Sequence, residues 1–587
     1  MCGIFAYIGP RKDAAQITLE GLKVLEYRGY DSWGIAIKDK TGKIALEKHV
    51  GKIGEASTTL PPASIAIGHT RWATHGGVTD ANAHPHTNSA RSIAVVHNGI
   101  VENYQQIKTT LLSKGHQFVS ETDTEVIAHL LDQEHKDDSF VNTVMLSFTG
   151  LAGSNAILVL DAKSETIVAC RNGSPLVVGI GRGEYLLASD VTALLPYTRN
   201  VYFLQDGETV ELSAMGARLY DTVRRKEKVL KTEKIEWTVE TAQKDGYPHY
   251  MLKEILEQVK TIPKASQIST DTCAKLAKLI AAADRVVLTG CGTAYHCCLL
   301  SQYYFAQAGI DTRAIAANEF PPFANMIGKN SIVFAVSQSG ETADTLIAVK
   351  EAKARNAHIV AVVNARASSL ERLADTVLPV GAGPEIAVVS TKAFTAQVMT
   401  MYMVANGCKP QPSQAIISPH ELERKLAVWL IPQFLDSMRE RAAQLLTTQD
   451  MYVIGKHVNY PAALEVALKV KEASYIHGEG FAAGELKHGV ISLIQKGTPC
   501  IVLASDDETK PEILSSAIEL KSRGGMIIGL APFSSDVFDV HIETVDLGDL
   551  TPLASVIAGQ LLGYYLSVGR GCDPDKPRNL AKSVTVK

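Results

Sequence analysis

A chain of 587 residues is too long for one hydrophobic core and is expected to divide into about three or four domains. Its 58 basic and 62 acidic side chains nearly balance, which argues against a nucleic-acid or membrane-surface footprint and favours small substrates. Nine scattered cysteines without a C-x-x-C pair, no basic stretch ahead of the apolar run Cys2 to Ile8, and a longest apolar stretch broken by Gln560 together predict a reduced, cytoplasmic protein with no membrane span.

The chain opens MCGIF. Cys2 admits two readings: a small core thiol, or, with Met1 removed, a residue carrying a thiol (pKa ~8.5) and an α-amine (pKa ~8) that can serve as its base. Up to about residue 215, short apolar or alternating runs such as SIAIGHT, SIAVVHNGI, NAILVL, EYLLASD and NVYFLQDGETVEL predict antiparallel strands with a few helices beside them. His69, His75, His84, His86 and His97 crowd this region, but neither H-E-x-x-H nor a Cys/His pair at structural spacing accompanies them, so no metal is expected. The charged stretch 221–246 lacks apolar periodicity and reads as a linker.

Beyond it, a pattern of apolar strand, turn and long helix runs twice, which predicts two copies of a doubly wound parallel-sheet domain with ligands at the carboxyl ends of the strands. In SIVFAVSQSGETADT a buried strand is expected to end at Val336 and a helix to begin near Thr342. Ser337, Gln338, Ser339, Gly340 and Thr342 between them suit either a helix cap or a phosphate cradle on free N–H groups. The loop lacks the lysine of a nucleoside-triphosphate loop, and GCGT has Tyr295 where a dinucleotide site needs its third glycine, so neither cofactor is expected. Glu465, Lys469 and Glu472 share one helix face at i, i+4 and i+7, as a solvated charge stripe or as acid-base groups. Glu485, Lys487 and His488 follow closely.

Taken in order, MCGI, LEYRGYDS, HTRWATHG, NAHPH, VHNGI, SETDTE, SQSGETADT, STKAF, LKVKEASYIH, AAGELKHG and PRNLAKSVTVK resemble the family of isomerizing glutamine:fructose-6-phosphate aminotransferases over nearly the whole chain. The resemblance implies an α/β multidomain protein: an N-terminal-nucleophile αββα sandwich of the class II glutamine amidotransferases over 1–215, a linker over 216–248, sugar isomerase (SIS) domains over 249–410 and 411–572, and a catalytic tail over 573–587. Cys2 would attack the glutamine carboxamide, with Asn98 and Gly99 as oxyanion hole, Arg71 and Asp123 holding the α-carboxylate and α-amine, and Trp72, Thr74 and His75 completing the pocket. Tyr27, Arg28 and Asp31 would support it.

The same resemblance implies that Ser337, Gln338, Ser339 and Thr342, with Thr293, grip the phosphate of fructose 6-phosphate, while Val388 and Ser390 line the sugar site. Lys582 would form an imine with the open ketose, Glu472 would move a proton between C1 and C2 with help from Lys469, and His488 would open the ring in the neighbouring subunit of a homodimer. Ammonia would pass through a channel gated by Trp72 and bordered by Ala581 and Val584. No cofactor is implied. Departures are Ala294 in CGTAYH where Ser is usual, Val389 where a smaller residue is common, and Val259 where Pro is usual. Two other functions fit parts of the pattern: amidotransfer to a different ketose phosphate, and a sugar-phosphate sensor without turnover, which would have no use for Cys2, Glu472, His488 and Lys582 together.

Overall fold

Strict alternation in the run after Cys2 decides the first layers. Ile4, Ala6 and Ile8 face one way and Phe5 and Tyr7 the other, so the strand Gly3–Ile8 is buried on both faces. The computed structural model describes residues 2–135, 139–235, 244–366, 368–409 and 417–584. They fall into two compact units, Met1–Gln243 with Ala581–Lys587, and Lys244–Leu580. Met1, the expected 410–411 boundary and the last three residues of the tail lie outside the described residues.

In the first unit, Gly3–Ile8 pairs antiparallel with Ile65–Arg71 on one side and Tyr185–Ala188 on the other, at the centre of an eight-stranded sheet. A seven-stranded antiparallel sheet containing Ile93–Gly99 and Asn155–Asp161 stacks on it through Ile4, Ala6, Ile67, Val96 and Leu158. Helix Ala14–Leu25 covers the outer face of the first sheet, and Glu125–Glu134 and Phe140–Thr149 cover that of the second. The result is the four-layer αββα sandwich. A one-residue slip in any of these strands would exchange its two apolar faces, which holds the register.

The charged stretch differs from the linker its composition predicts. Gly216–Asp221 pairs with Glu208–Ser213 and buries Leu219 and Tyr220, Lys226–Lys228 adds an exposed edge, and Glu233–Lys234 joins the other sheet. Charged edge strands guard a sheet against pairing with another chain, and they carry no apolar periodicity to reveal them.

Four of the five clustered histidines are buried between the layers, and each has a hydrogen-bond partner. His69 Nε2 meets the His97 carbonyl at 2.9 Å and His84 Nδ1 at 3.1 Å. His97 bridges Thr124 Oγ1 and Asn155 Oδ1, both at 2.9 Å, and His86 Nε2 meets Thr122 Oγ1 at 3.0 Å. His75 stands apart, edge-on to Tyr104. Among the described residues no three His, Cys, Asp or Glu converge as metal ligands. Burial lowers the pKa of His69 from 6.5 to about 3, and drives His84 and His86 well below 6.5.

The second unit contains two five-stranded sheets, all parallel and alike in strand order. In one, Arg285–Gly290 lies between Thr312–Ala316 and Ser331–Ser337, followed by His358–Val363 and Thr376–Pro379. In the other, Asp450–Gly455 lies between His477–Ala482 and Pro499–Leu503, followed by Met526–Ala531 and Val540–Glu543. The order 2-1-3-4-5 puts a switch point between the first and third strands of each. The apolar stretch near the C-terminus is the helix Thr551–Gly569, buried against Asn459–Ser474; a Cβ on Gly559 would come within 2.5 Å of Val466 Cγ2, so glycine permits the approach. Among the described residues no helix is long and apolar enough to cross a membrane.

The histidine cluster predicts an acid-sensitive first unit. Above pH 6.5 the rings are neutral in both folded and unfolded chains; below it the unfolded chain takes up protons that the folded one refuses, so stability falls from 6.5 toward about 3. Thermal denaturation between pH 7 and 5, above the usual carboxylate range, is expected to lower the transition with a slope of up to about 1.4 kcal/mol per pH unit for each titrating histidine. A flat profile there would contradict neutral burial.

Candidate active sites of the two units

Cys2 precedes the central strand, and pairing on both sides fixes it. Gly3 N donates to Thr70 Oγ1 at 3.1 Å and Ile4 N to Ser189 Oγ at 2.8 Å. The Trp72 amide donates to Cys2 Sγ at 3.4 Å, and the Cys2 carbonyl accepts from Arg28 Nε at 3.2 Å and Asn98 Nδ2 at 3.0 Å. Burial pushes the thiol above its ordinary value despite the lowering pull of the Trp72 amide, Arg71 and Arg28, so a base must take its proton before it attacks. Gly99 stands at φ +135°, where a Cβ would fall 2.0 Å from the Ser154 carbonyl; only glycine fits this strand end.

Arg71, buried, donates to the carbonyls of Gly77 at 3.0 Å, Gly76 at 3.1 Å and His75, so it shapes the loop that carries Trp72, Thr74 and His75. Asp31 accepts from Ala73 N at 2.8 Å, and Glu121 holds Asn82 and Gly77 on the same loop. Trp72 and His75 are half-buried and Thr74 is exposed. Asp123 is buried and accepts from Val101 N at 2.7 Å. Tyr27 donates to Asp190 at 2.8 Å beside Arg28. The structure thus gathers Cys2, Trp72, Asn98 and Arg28 by direct contact.

In the second unit the charge stripe is not solvated. Glu465 and Lys469 have no side-chain exposure and Glu472 keeps 22 %. Lys469 Nζ lies 2.7 Å from Glu472 Oε2, 3.3 Å from Glu465 Oε1 and 3.0 Å from Thr293 Oγ1. Glu465 also accepts from Thr293 Oγ1 at 3.1 Å and pairs with His296 Nδ1 at 2.8 Å. Burial would lower the Lys469 pKa, but the two carboxylates outweigh it and hold the group at about 12, a permanent cation at neutral pH. Thr293 starts the helix after Arg285–Gly290, whereas Glu465, Lys469 and Glu472 lie on Asn459–Ser474, so the two repeats share this network.

Across the switch point, the strand Ser331–Ser337 runs one residue further than periodicity predicts, and the helix starts at Ala343. Thr342 stands at the N-cap position without a capping bond. Ser337 Oγ accepts from Gly340 N at 2.9 Å and Ser339 Oγ from Glu341 N at 3.1 Å, and Gly340 is left-handed, with Ser368 Oγ 2.1 Å from where a Cβ would sit. Thr342 therefore does not serve as a side-chain cap, and the loop's hydroxyl–amide bonds come from Ser337 and Ser339. Gln338 is half-buried beside it. Val388 and Ser390 lie on a loop pinned by Glu385, which accepts from Ser390 Oγ at 3.0 Å and Thr391 N at 2.9 Å, and by the Asp575 carbonyl, which accepts from Val388 N at 2.9 Å. His488 is exposed at the end of the turn Ala483–His488. Ala581 and Lys582 are half-buried in the tail that belongs to the first unit.

Sequence reasoning missed Thr70, Ser189 and Asp190 around Cys2, and Glu385 under Ser390. Single polar residues at strand ends carry no periodic signal. His296 had one: it follows Thr293 by three on a helix, on the same face.

A model of the glutamine amidotransferase domain matches residues 69–196, and a model of the SIS domain matches residues 279–407 and 444–536. The C-terminal domain of a glucosamine-fructose-6-phosphate aminotransferase from Francisella tularensis superposes with a TM-score of 0.53 at 30% identity, covering 57% of this chain and 99% of that one. The isomerizing glutamine–fructose-6-phosphate aminotransferase of Clostridium acetobutylicum is 42% identical over 615 residues and that of Pyrococcus horikoshii 43% identical over 605, each covering 100% of both chains. With both domain types present in order and identity at this level over full length, the chain belongs to the isomerizing glutamine–fructose-6-phosphate aminotransferase family.

Proposed function

We propose that this protein converts fructose 6-phosphate and glutamine to glucosamine 6-phosphate and glutamate. The observation that carries the reading is the buried Lys469 cation between Glu465 and Glu472, bonded to Thr293 of the other repeat, in a chain that also presents Cys2 to the Trp72 and Asn98 amides. Cys2 attacks the glutamine carboxamide carbon, the oxyanion draws on the Gly99 N–H and on an Asn98 Nδ2 N–H released from one of its resting partners, Ser189 Oγ or the Cys2 carbonyl, and collapse releases ammonia and leaves a thioester for water to cleave. Arg71 and Asp123 are assigned to the α-carboxylate and α-amine; a guanidinium has five donors, so its loop carbonyls do not exhaust it.

In the second unit, Ser337, Gln338, Ser339 and Thr342 are assigned to the phosphate, with Thr293 contributing the backbone N–H that opens its helix rather than its hydroxyl, and Val388 and Ser390 to the sugar. Glu472 moves the proton between C1 and C2, and the neighbouring Lys469 cation, 2.7 Å away, holds its carboxylate in place and stabilises charge that develops on the sugar oxygen. A permanently cationic Lys469 is a poor imine former, which favours Lys582 for that role. The exposed His488 suits a ring-opening group supplied to a second copy, so the reading includes a homodimer, with Ala581 beside the ammonia path and the protein in the cytoplasm. No metal or cofactor enters these steps.

Incubation with both substrates should yield glutamate and glucosamine 6-phosphate in equal amounts, and Cys2→Ala should abolish this while the melting transition stays in place. Formation of another amino sugar phosphate would point to a different ketose.

Borohydride reduction in the presence of fructose 6-phosphate should add the sugar's mass to the peptide carrying Lys582. Labelling confined to Lys469 or Lys471 would reassign the imine.

Ala294 leaves a hydroxyl missing beside the proposed phosphate. Thr293 cannot replace it as a donor, because its proton goes to Glu465 and its lone pair faces Lys469. A hydrogen bond to a charged group is worth about 1.5 to 3 kcal/mol, so Ala294→Ser should lower KM for fructose 6-phosphate by about tenfold or more. The kcat and the KM for glutamine should barely move, since a remote phosphate is held alike in ground and transition states. An unchanged sugar KM would show that the position is silent.

A further inference from the structure

We infer that His69 is a positioning residue for the glutamine half-reaction, fixing the Asn98 side chain with its NH2 group toward the nucleophile. The inference rests on the proposal that Asn98 is an oxyanion donor. The orientation follows from the partners. Asn98 Nδ2 lies 3.0 Å from the Cys2 carbonyl, which can only accept, so that corner of the amide is the nitrogen. It lies 2.8 Å from Ser189 Oγ as well. The oxygen Oδ1 must then point the other way, where it meets His69 Nε2 at 3.2 Å.

His69 Nε2 faces two oxygens, Asn98 Oδ1 and the His97 carbonyl at 2.9 Å, so it has to carry the ring's proton. His84 Nδ1 at 3.1 Å from the same atom is then a lone pair, with the His84 proton on its other nitrogen. His69 Nδ1 is buried and finds no hydrogen-bond partner among the described residues, as suits an unprotonated nitrogen in a neutral ring. The ring is itself fully buried and packs on His84 with centroids 4.1 Å apart. A flipped Asn98 amide would set its oxygen against the Cys2 carbonyl and its NH2 against the His69 N–H. Both contacts would be repulsive, so the histidine excludes the orientation that presents an acceptor to a developing oxyanion. The low pKa of His69 fits this role, because a neutral ring keeps one fixed tautomer across the working pH range.

The test compares full-length His69→Gln, which keeps an N–H near the Nε2 position, with His69→Asn, whose nitrogen falls near Nδ1, each alone and with Asn98→Ala. The readout is glutamate release in the presence of fructose 6-phosphate. Expected are a loss of about tenfold in kcat for H69N with KM for glutamine within about twofold, recovery to within about threefold of the parent in H69Q, and no further loss when H69N is added to N98A. Equal losses in H69N and H69Q, a change confined to KM, or losses that multiply in the double variant would overturn the inference. If N98A itself retained full kcat, the oxyanion reading would fall and the inference with it; a slow N98A beside an unaffected H69N would overturn the inference alone. Should H69N not accumulate as folded protein, H69Q decides by itself, since a folded H69Q as slow as N98A contradicts the assignment.

Discussion

A lysine ammonium with no solvent exposure must be compensated where it stands, and the second unit is organised around that requirement at Lys469. One turn earlier on its own helix Glu465 supplies a carboxylate, three residues later Glu472 supplies another, and Thr293 reaches it from the helix of the other repeat. Breaking such a buried pair from one side leaves an uncompensated charge and typically costs about 3–5 kcal/mol. The same contacts that keep Lys469 in place therefore hold the two repeats in register, and the carboxylate assigned to proton transfer is positioned by them. Small residues along Thr551–Gly569 bring that helix close enough to seal the network's far side: a Cβ on Gly563 would come within 3.0 Å of the Lys469 carbonyl.

The first unit solves a different problem, holding a reactive thiol at a strand end instead of in a helix pair. Cys2 takes its place from the strand it precedes, because Gly3 and Ile4 are tied to Thr70 and Ser189 on opposite neighbours. The Arg71 loop then brings the Trp72 amide to the sulfur from one side while Asn98 approaches the Cys2 carbonyl from the other. Behind Asn98 the histidines are neutral, so the nucleophile's surroundings contain oriented dipoles and few mobile charges. Oriented dipoles of this kind need no reorganisation when an oxyanion forms.

Much of the architecture was legible in the residues themselves. Short apolar or alternating runs such as SIAIGHT and NAILVL announced strands, and the repeated strand, turn and helix pattern announced two parallel sheets. The charged run after residue 221 misled because an exposed edge strand such as Lys226–Lys228 has the composition of a connector. Both readings of the Ser337–Thr342 loop were compatible with its composition. The backbone adds that Thr342 makes no side-chain cap and that Ser337 and Ser339 bond to amides within the loop, which composition could not show.

What the sequence determined by itself was period and order: which segments alternate, which follow a helical repeat, and the succession of motifs from MCGI to PRNLAKSVTVK that marks the family. Tertiary structure alone decided environment. Glu465, Lys469 and Glu472 occupy one helix face whether that face meets water or a second helix, so their spacing could not tell a solvated stripe from a buried ion network. Five histidines in thirty or so residues likewise look the same as ligands or as neutral core donors until their neighbours are known. Burial and partnership arise from contacts between segments far apart in the chain, such as Thr293 with Glu465 or His69 with Asn98, and local pattern carries no record of them.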